Sequence, residues 1–356
     1  MSNISNKHDA WLTDDDGPAA IVIREHLMPV EGDDGVLFPA TFASGDNFAG
    51  GYNIDGDSNG TNVCLIDTVG SQANRIEPLF SKPKYAGLIP QITVKAGEKT
   101  VNLLDAGHRA GDAVVRCTVL QKTLQDAFRA SLRGDAEPLA KIAPTSLVFG
   151  VWDSRDTQAK LPRLVASTIR AFNVRKLTRS AQFVPAMEYV DTGLLEEPAD
   201  KSSKEAYAKR GFVHVPASAS HGGVVATGGI RRDATLSLAA LRLLSAGSDS
   251  YKTLALRRYI LGLALVGLTY RPSSYLRQGC NLVLNPDKPS EHVEVFGDGR
   301  RLPWKLTHDE AIEFATSAAT AFGVGDDRSV EFDRELAKVD VQSGDEKASR
   351  KSKKKS

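Results

Sequence analysis

The run Val63-Cys64-Leu65-Ile66-Asp67-Thr68-Val69-Gly70-Ser71-Gln72-Ala73-Asn74-Arg75-Ile76-Glu77 constrains the fold more than any other stretch. Its aliphatic first half reads as a short buried strand, Gly70-Ser71 as a turn with a helix N-cap, and the remainder as the opening of a helix. On a helix starting near Ser71, positions 71, 74, 75 and 78 share one face and 73, 76 and 80 the other. Ser71, Asn74 and Arg75 then point outward, while Ala73, Ile76 and Phe80 face a core. Free backbone N–H groups at a helix start, beside a hydroxyl, an amide and a guanidinium, suit a phosphate. A plain capped helix whose Arg75 pairs with a carboxylate fits the same pattern.

The 356 residues suffice for a substantial core in one large domain or two ordinary ones. A hydrophobic share of 41% and a charged share of 25% are those of a soluble globular chain. Cys64, Cys117 and Cys280 are too scattered for a disulfide framework or a Cys-x-x-Cys metal pair, so free thiols in a reducing cytoplasm are expected. The start shows no signal-peptide pattern, and the longest apolar run, Tyr259 to Tyr270, is too short and glycine-punctuated to span a bilayer. Charge is unevenly placed. The first sixty residues hold eleven acids and two bases, the last eleven six bases and one acid, so the middle is modestly basic. Phosphate binding depends on such local clustering rather than on the net charge of +1.

Along the chain, residues 1–18 read as a flexible acidic lead and Ala20 to Leu27 as a first strand. The glycine- and asparagine-rich segment 42–62 reads as a loop or long hairpin carrying Phe48 and Tyr52. Leu88–Val94 and Val101–Leu104 form a hairpin about Gly97, and a helix is expected from about Asp112 to Leu132. Ser146–Trp152 reads as a buried strand, Leu164–Phe172 as a helix with Arg163 and Arg170 on one face, and Arg175–Tyr189 as extended. Residues 191–211 form an inserted surface segment. Val213–Ile230 is strand material, in which Ser218–His221 is a loop rather than a catalytic pair. Ala234–Leu244 and Tyr251–Leu268 read as helices, Asn281–Leu284 and His292–Phe296 as strands, and Asp309–Phe322 as a helix capped by Thr307. From about residue 336 the lysine-rich tail reads as disordered. Alternating strands and helices imply α+β or α/β; no repeat is visible.

Two loops hold candidate chemistry. Asp105-Ala106-Gly107-His108-Arg109-Ala110-Gly111-Asp112 could bind a divalent metal or do acid–base work, yet Asp105, His108 and Asp112 match no metal-ligand template, and Asp112 fits a helix N-cap. Gly228-Gly229-Ile230-Arg231-Arg232-Asp233-Ala234 lacks the Gly-Lys-Ser/Thr of a Walker motif. It reads as a glycine turn before a helix capped by Asp233, or as a close approach for a polynucleotide backbone with an arginine on a phosphate.

Four segments occur in order: Leu37–Phe42, Asp67–Arg75, Leu103–Arg116 and Gly228–Leu238. In these the chain resembles the backbone subunit of Type I-G (formerly I-U) CRISPR effector complexes, a Cas-seven branch of the RAMP superfamily. The resemblance implies an RRM-like (ferredoxin-like) palm with large insertions forming thumb and finger elements, in a single domain over 19–335. The palm helices would start near 71 and 234, and the thumb would be 42–62 or 191–223. It also implies a non-catalytic subunit without metal or cofactor, several copies of which line one crRNA and touch phosphates rather than base edges. The target DNA strand is reached by pairing with the guide, and other effector subunits and a helicase-nuclease are the further partners. The residues assigned to RNA are Ser71, Gln72, Asn74, Arg75, Lys82, His108, Arg109, Arg116, Arg231 and Arg232. The rival expectation is a metal-dependent phosphohydrolase or nuclease using Asp67, Asp105, His108 and Asp112. A second rival is a structural protein that polymerises without RNA.

Overall fold

The computed structural model describes residues 8–56 and 59–342. In chain order its main elements are α1 (Asp9–Thr13), β1 (Ala20–Pro29), β2 (Asn62–Asp67), α2 (Val69–Ile76), β3 (Ile92–Ala96), β4 (Lys99–Asn102) and α3 (Gln121–Leu132). There follow β5 (Val165–Phe172), β6 (Val174–Phe183), α4 (Lys201–Arg210), β7 (Val215–Ala226), β8 (Ile230–Ser237) and α5 (Ser250–Thr269). The chain continues through β9 (Cys280–Leu284), β10 (Glu291–Val295), α6 (His308–Phe322) and β11 (Arg328–Glu331). This is a mixed α+β protein built on an antiparallel sheet, in which β9, β1, β8, β5 and β2 lie side by side. Strand β10 extends the sheet along the same edge of β1 as β9. Among the described residues no helix is long and apolar enough to cross a membrane.

Alternation decides which face of the sheet is buried. Ile21 and Ile23 of β1, Ala234 and Leu236 of β8 and Val165 of β5 enter the larger core, under α5 and α6. Every residue of α5 from Tyr259 to Leu268 is buried. This helix is apolar all round because it runs between the sheet and α6 rather than along a surface. A smaller core gathers Cys64, Ile66, Ile169 and Ala171 with Leu37, Tyr52, Leu276 and Leu282. The cysteines are free and buried, and burial pushes the Cys64 thiol up to about 12.

Several expectations fail, each for a physical reason. Leu164–Phe172 is strand β5, not a helix: its burial alternates and Val165, Thr168 and Ile169 are β-branched, so no helical arginine stripe exists. Ser146–Trp152 is instead a short buried helix, Thr145–Phe149, stopped by Gly150 at φ +77° and followed by a two-residue strand, Val151–Trp152. A fully buried apolar run has no periodicity to separate the two forms. Ala234 lies in β8, so the helix expected over 234–244 is strand as far as Ser237 and helical only over Leu238–Leu241, capped by Ser237; Asp233 caps nothing and pairs with Arg24 and Arg231. Ser218–His221 belongs to β7 rather than to a loop. The helix expected over 112–132 breaks into Ala113–Arg116 and α3. Within the lead, residues 9–13 are helical with Trp11 and Leu12 buried. Residues 334–342 are helical as well; the rest of the expected tail lies outside the described residues.

Strands β6 and β7 pair into a two-stranded ribbon that leaves the sheet, carrying the exposed α4 in the connection between them. Asn173, at φ +49°, turns the chain from β5 into β6. The Asn62 side chain then holds Val174 by both backbone groups, donating to its carbonyl at 3.0 Å and accepting from its N–H at 2.7 Å.

The packing makes one sharp test. A Cβ at Gly262 of α5 would come within 2.8 Å of the Ala315 Cα in α6, whereas one at Gly297 would meet nothing within 4 Å. Gly262→Ala is expected to cost about 1–3 kcal/mol in urea unfolding, while Gly297→Ala stays near wild type.

Candidate nucleic-acid interface

Strand β2 ends on Asp67, whose side chain is fully buried. Its Oδ1 accepts from the Ser71 hydroxyl at 2.9 Å and from Arg277 Nη2 at 2.8 Å. Its Oδ2 accepts from Gln72 Nε2 at 2.7 Å and from Arg75 Nε at 3.1 Å. Thr68, not Ser71, is the N-cap, accepting from the Ser71 N–H. The first turn of α2 is therefore folded back onto Asp67, and Arg75 has the carboxylate partner that a plain capped helix needs.

The same hydrogen bonds continue inward. Gln72 Oε1 accepts from the Ser167 hydroxyl at 3.0 Å, and Ser167 Oγ accepts from Arg232 Nε at 3.1 Å. Arg232 Nη1 meets Glu25 Oε2 at 2.5 Å, and Arg271 Nε reaches Glu25 Oε1 at 3.3 Å. Burial raises the Glu25 carboxyl, but Arg232 and Arg271 outweigh it and leave the group below its ordinary 4.5. Ser71, Gln72, Arg75 and Arg232, all assigned to RNA, thus share one hydrogen-bonded chain. Gln72 and Arg232 are buried in it and present nothing to a polynucleotide.

Arg109 and Arg116 are internal too. Arg109, at φ +51°, places Nε 2.6 Å from Glu77 Oε2 and its Nη1 on the Gly150 carbonyl. Arg116 contacts Asp340 at 2.5 Å and Asp156 at 3.8 Å. The pairing of His108 with Arg109 on a phosphate gives way here: His108 is exposed beside Asp112, whereas Arg109 points into the core. Asn74 is exposed near Gly107, and Lys82 lies over Tyr270. Asp112 caps the short helix Ala113–Arg116 through the Val114 N–H. Among the described residues no three His, Cys, Asp or Glu side chains gather closely enough to hold a metal, and Asp67 is saturated by four donors.

Accessible cations collect on the other face of the sheet. Register aligns His26 of β1, Arg231 of β8 and Arg170 of β5 in one row, with Arg24, Asp233 and Thr168 in the next. The Arg231 guanidinium lies 4.8 Å over the Phe172 ring. Arg24 and Arg231 keep 37% and 31% of their side chains in solvent, enough to meet a ligand. The row runs past Asn173 onto the ribbon, where Arg175, Lys176 and Arg179 are exposed. Arginine and aromatic surface in one track is what a phosphate backbone with splayed bases requires. The sequence singled out Arg231, in an expected glycine turn, and Arg170, on an expected helix, but did not bring them into one row, because Leu164–Phe172 and Ala234–Leu244 were read as helices.

Two substitutions separate architecture from surface. Asp67→Ala leaves Arg75 and Arg277 without their carboxylate and is expected to cost about 3 kcal/mol in denaturant unfolding. Burial, against the pull of Arg109, raises the Glu77 carboxyl to about 7. The native protein then holds a proton that the unfolded chain releases near 4.5, so stability from Glu77 is complete below that pH and lost as pH rises through about 7. The melting temperature of wild type should fall relative to Glu77→Gln across that interval.

A family model described as CRISPR-associated protein GSU0053 matches residues 21–176, from β1 through the start of the ribbon. No curated protein matches the chain. The family match supports a CRISPR-associated identity for this protein, and with it a role in CRISPR defence alongside other CRISPR-associated components.

Proposed function

We propose that the protein is a non-catalytic, crRNA-binding backbone subunit of a Type I CRISPR surveillance complex. Several copies lie head to tail along one guide RNA, and the guide in turn pairs with a target DNA strand. Other effector subunits complete the complex, and a separate helicase-nuclease cuts the DNA. The observation that carries this reading is the row of Arg170, Arg231 and Phe172 running onto the exposed ribbon, on the face of the sheet opposite the helices.

Strand order supports the RRM-like palm. The core strands run β10/β9, β1, β8, β5, with helices between β1 and β5 and α5 between β8 and β9. That is a β-α-β-β-α-β succession folded with its first and third strands at the centre. The ribbon of β6 and β7, within which the 191–211 insertion falls, is the thumb in this reading. The 42–62 segment is not, since Tyr52 is buried and its hydroxyl accepts from the Gly223 N–H of β7 at 3.1 Å. A cation on such a surface reads charge and spacing, so the guide is held whatever its sequence.

Arg170→Ala and Arg231→Ala are expected to weaken binding about equally for unrelated single-stranded RNAs. Each should lower the slope of log K against log salt by about one. Loss restricted to one RNA sequence, measured by fluorescence anisotropy over a salt series, would contradict a backbone-tracking surface.

A further inference from the structure

A cleft of about 490 Å³ opens on the helix side of the sheet, away from the cationic row. Tyr85, Tyr270, Arg271, His292, Thr307 and His308 line it. Its size falls within the range of about 300–1,000 Å³ common for small-molecule sites. Its floor is the end of the buried polar chain, where Glu25 meets Arg232 and Arg271.

The walls are rigid. Thr269 Oγ1 donates to the Leu265 carbonyl at 2.8 Å, so it must accept from His308 Nδ1, 2.9 Å away. His308 Nε2 is then left to accept from the Tyr85 hydroxyl at 2.8 Å. Burial, then the charge of Lys84, holds His308 below its ordinary value and favours this neutral tautomer. The ring is locked between two hydroxyls, with the Tyr270 ring 5.9 Å away.

Two groups in the cleft have capacity to spare. Arg271 uses only its Nε on Glu25, and its side chain is 63% exposed; among the described residues its terminal nitrogens make no bond. His292 stacks on Trp304 and makes no side-chain hydrogen bond among the described residues. At the rim, Lys82 donates to the Tyr270 hydroxyl at 3.1 Å. Aromatic and imidazole walls, one free imidazole edge and a cationic mouth match a heteroaromatic base joined to a phosphate.

We propose that this cleft binds one nucleoside monophosphate unit, with its base among Tyr85, Tyr270 and His292 and its phosphate at Arg271. The unit is a nucleotide of the bound strand or a free one; the chemistry recognised is the same. The proposal deepens the RNA-binding reading and rests on it for the source of the ligand. A second cleft of about 310 Å³ shares Glu25, Arg232 and Arg271, so Arg271 stands between two hollows and can serve a phosphate between consecutive nucleotides.

The test uses the full-length protein with free uridine 5′-monophosphate and with an oligouridylate carrying 4-thiouridine for photo-crosslinking. Support is uridine monophosphate binding that Arg271→Gln weakens about tenfold at unchanged melting temperature, with a smaller loss in Lys82→Gln. Crosslinks at Tyr270 or His308 that excess monophosphate competes away identify the source as the strand. Monophosphate binding without such crosslinks supports the cleft as a free-nucleotide site. If the oligomer is retained but crosslinks only to the sheet row and ribbon, and the monophosphate does not bind, the cleft is overturned and the RNA reading stands. If neither probe binds, both fall.

Discussion

Glu25 and Arg232 lie side by side on the buried sheet face, next to the Ile23–Ala234 pair. Such a pair is tolerated in a core only when the remaining lone pairs and protons find partners. Here they do. The guanidinium also reaches Ser167 and the Leu268 carbonyl, Ser167 reaches Gln72, and Gln72 reaches Asp67. The chain ties β1, β8 and β5 to α2 and, through Arg277, to the segment leading into β9. Because each member has a fixed partner, it sets the register in which these elements meet. Apolar contacts alone would leave that register softer.

This interior chain also divides the molecule's arginines into two groups. Arg232, Arg109 and Arg116 are committed to carboxylates inside the protein, while Arg75 and Arg277 are shared between Asp67 and backbone carbonyls. On the opposite sheet face Arg24 and Arg231 share Asp233 yet stay partly in solvent, and Arg175 and Arg179 of the ribbon are exposed. A nearly neutral chain can therefore present a basic track. Its acids have been drawn inward to hold the frame, or lie in surface pairs such as Arg301 with Glu291.

Legibility in the sequence followed the pattern of burial. The strand–turn–helix about Asp67, the hairpin about Gly97, helix α5 and the capped α6 were readable because caps, glycines and a sustained apolar run mark them locally. Strand β8 was not. Its buried positions are Ile230, Arg232, Ala234 and Leu236, and the arginine breaks the alternation that would have announced a strand. Strand β5 was hidden in the same way by Ser167 and two alanines. The site suffered most. A charged side chain reads as surface until its partner is known, and the partners of Arg109, Arg116 and Arg232 lie 32 to 224 residues away in the chain. What could have flagged Asp67 was its position at the strand end, with a hydroxyl and an amide one helical turn on and a cation one turn further.

Asn62 clasps Val174 by its N–H and its carbonyl together, as a neighbouring strand would, just where the chain swings from β5 into the ribbon. Thr227 closes the other leg by donating to the Asn173 carbonyl. An arm rooted this way behaves as a cantilever rather than a flap: its bearing on the body is set before any ligand arrives. In an array of identical copies, a fixed bearing becomes a fixed interval. The spacing of such arms would then be dictated by an amide side chain about a hundred residues upstream of the ribbon it steadies.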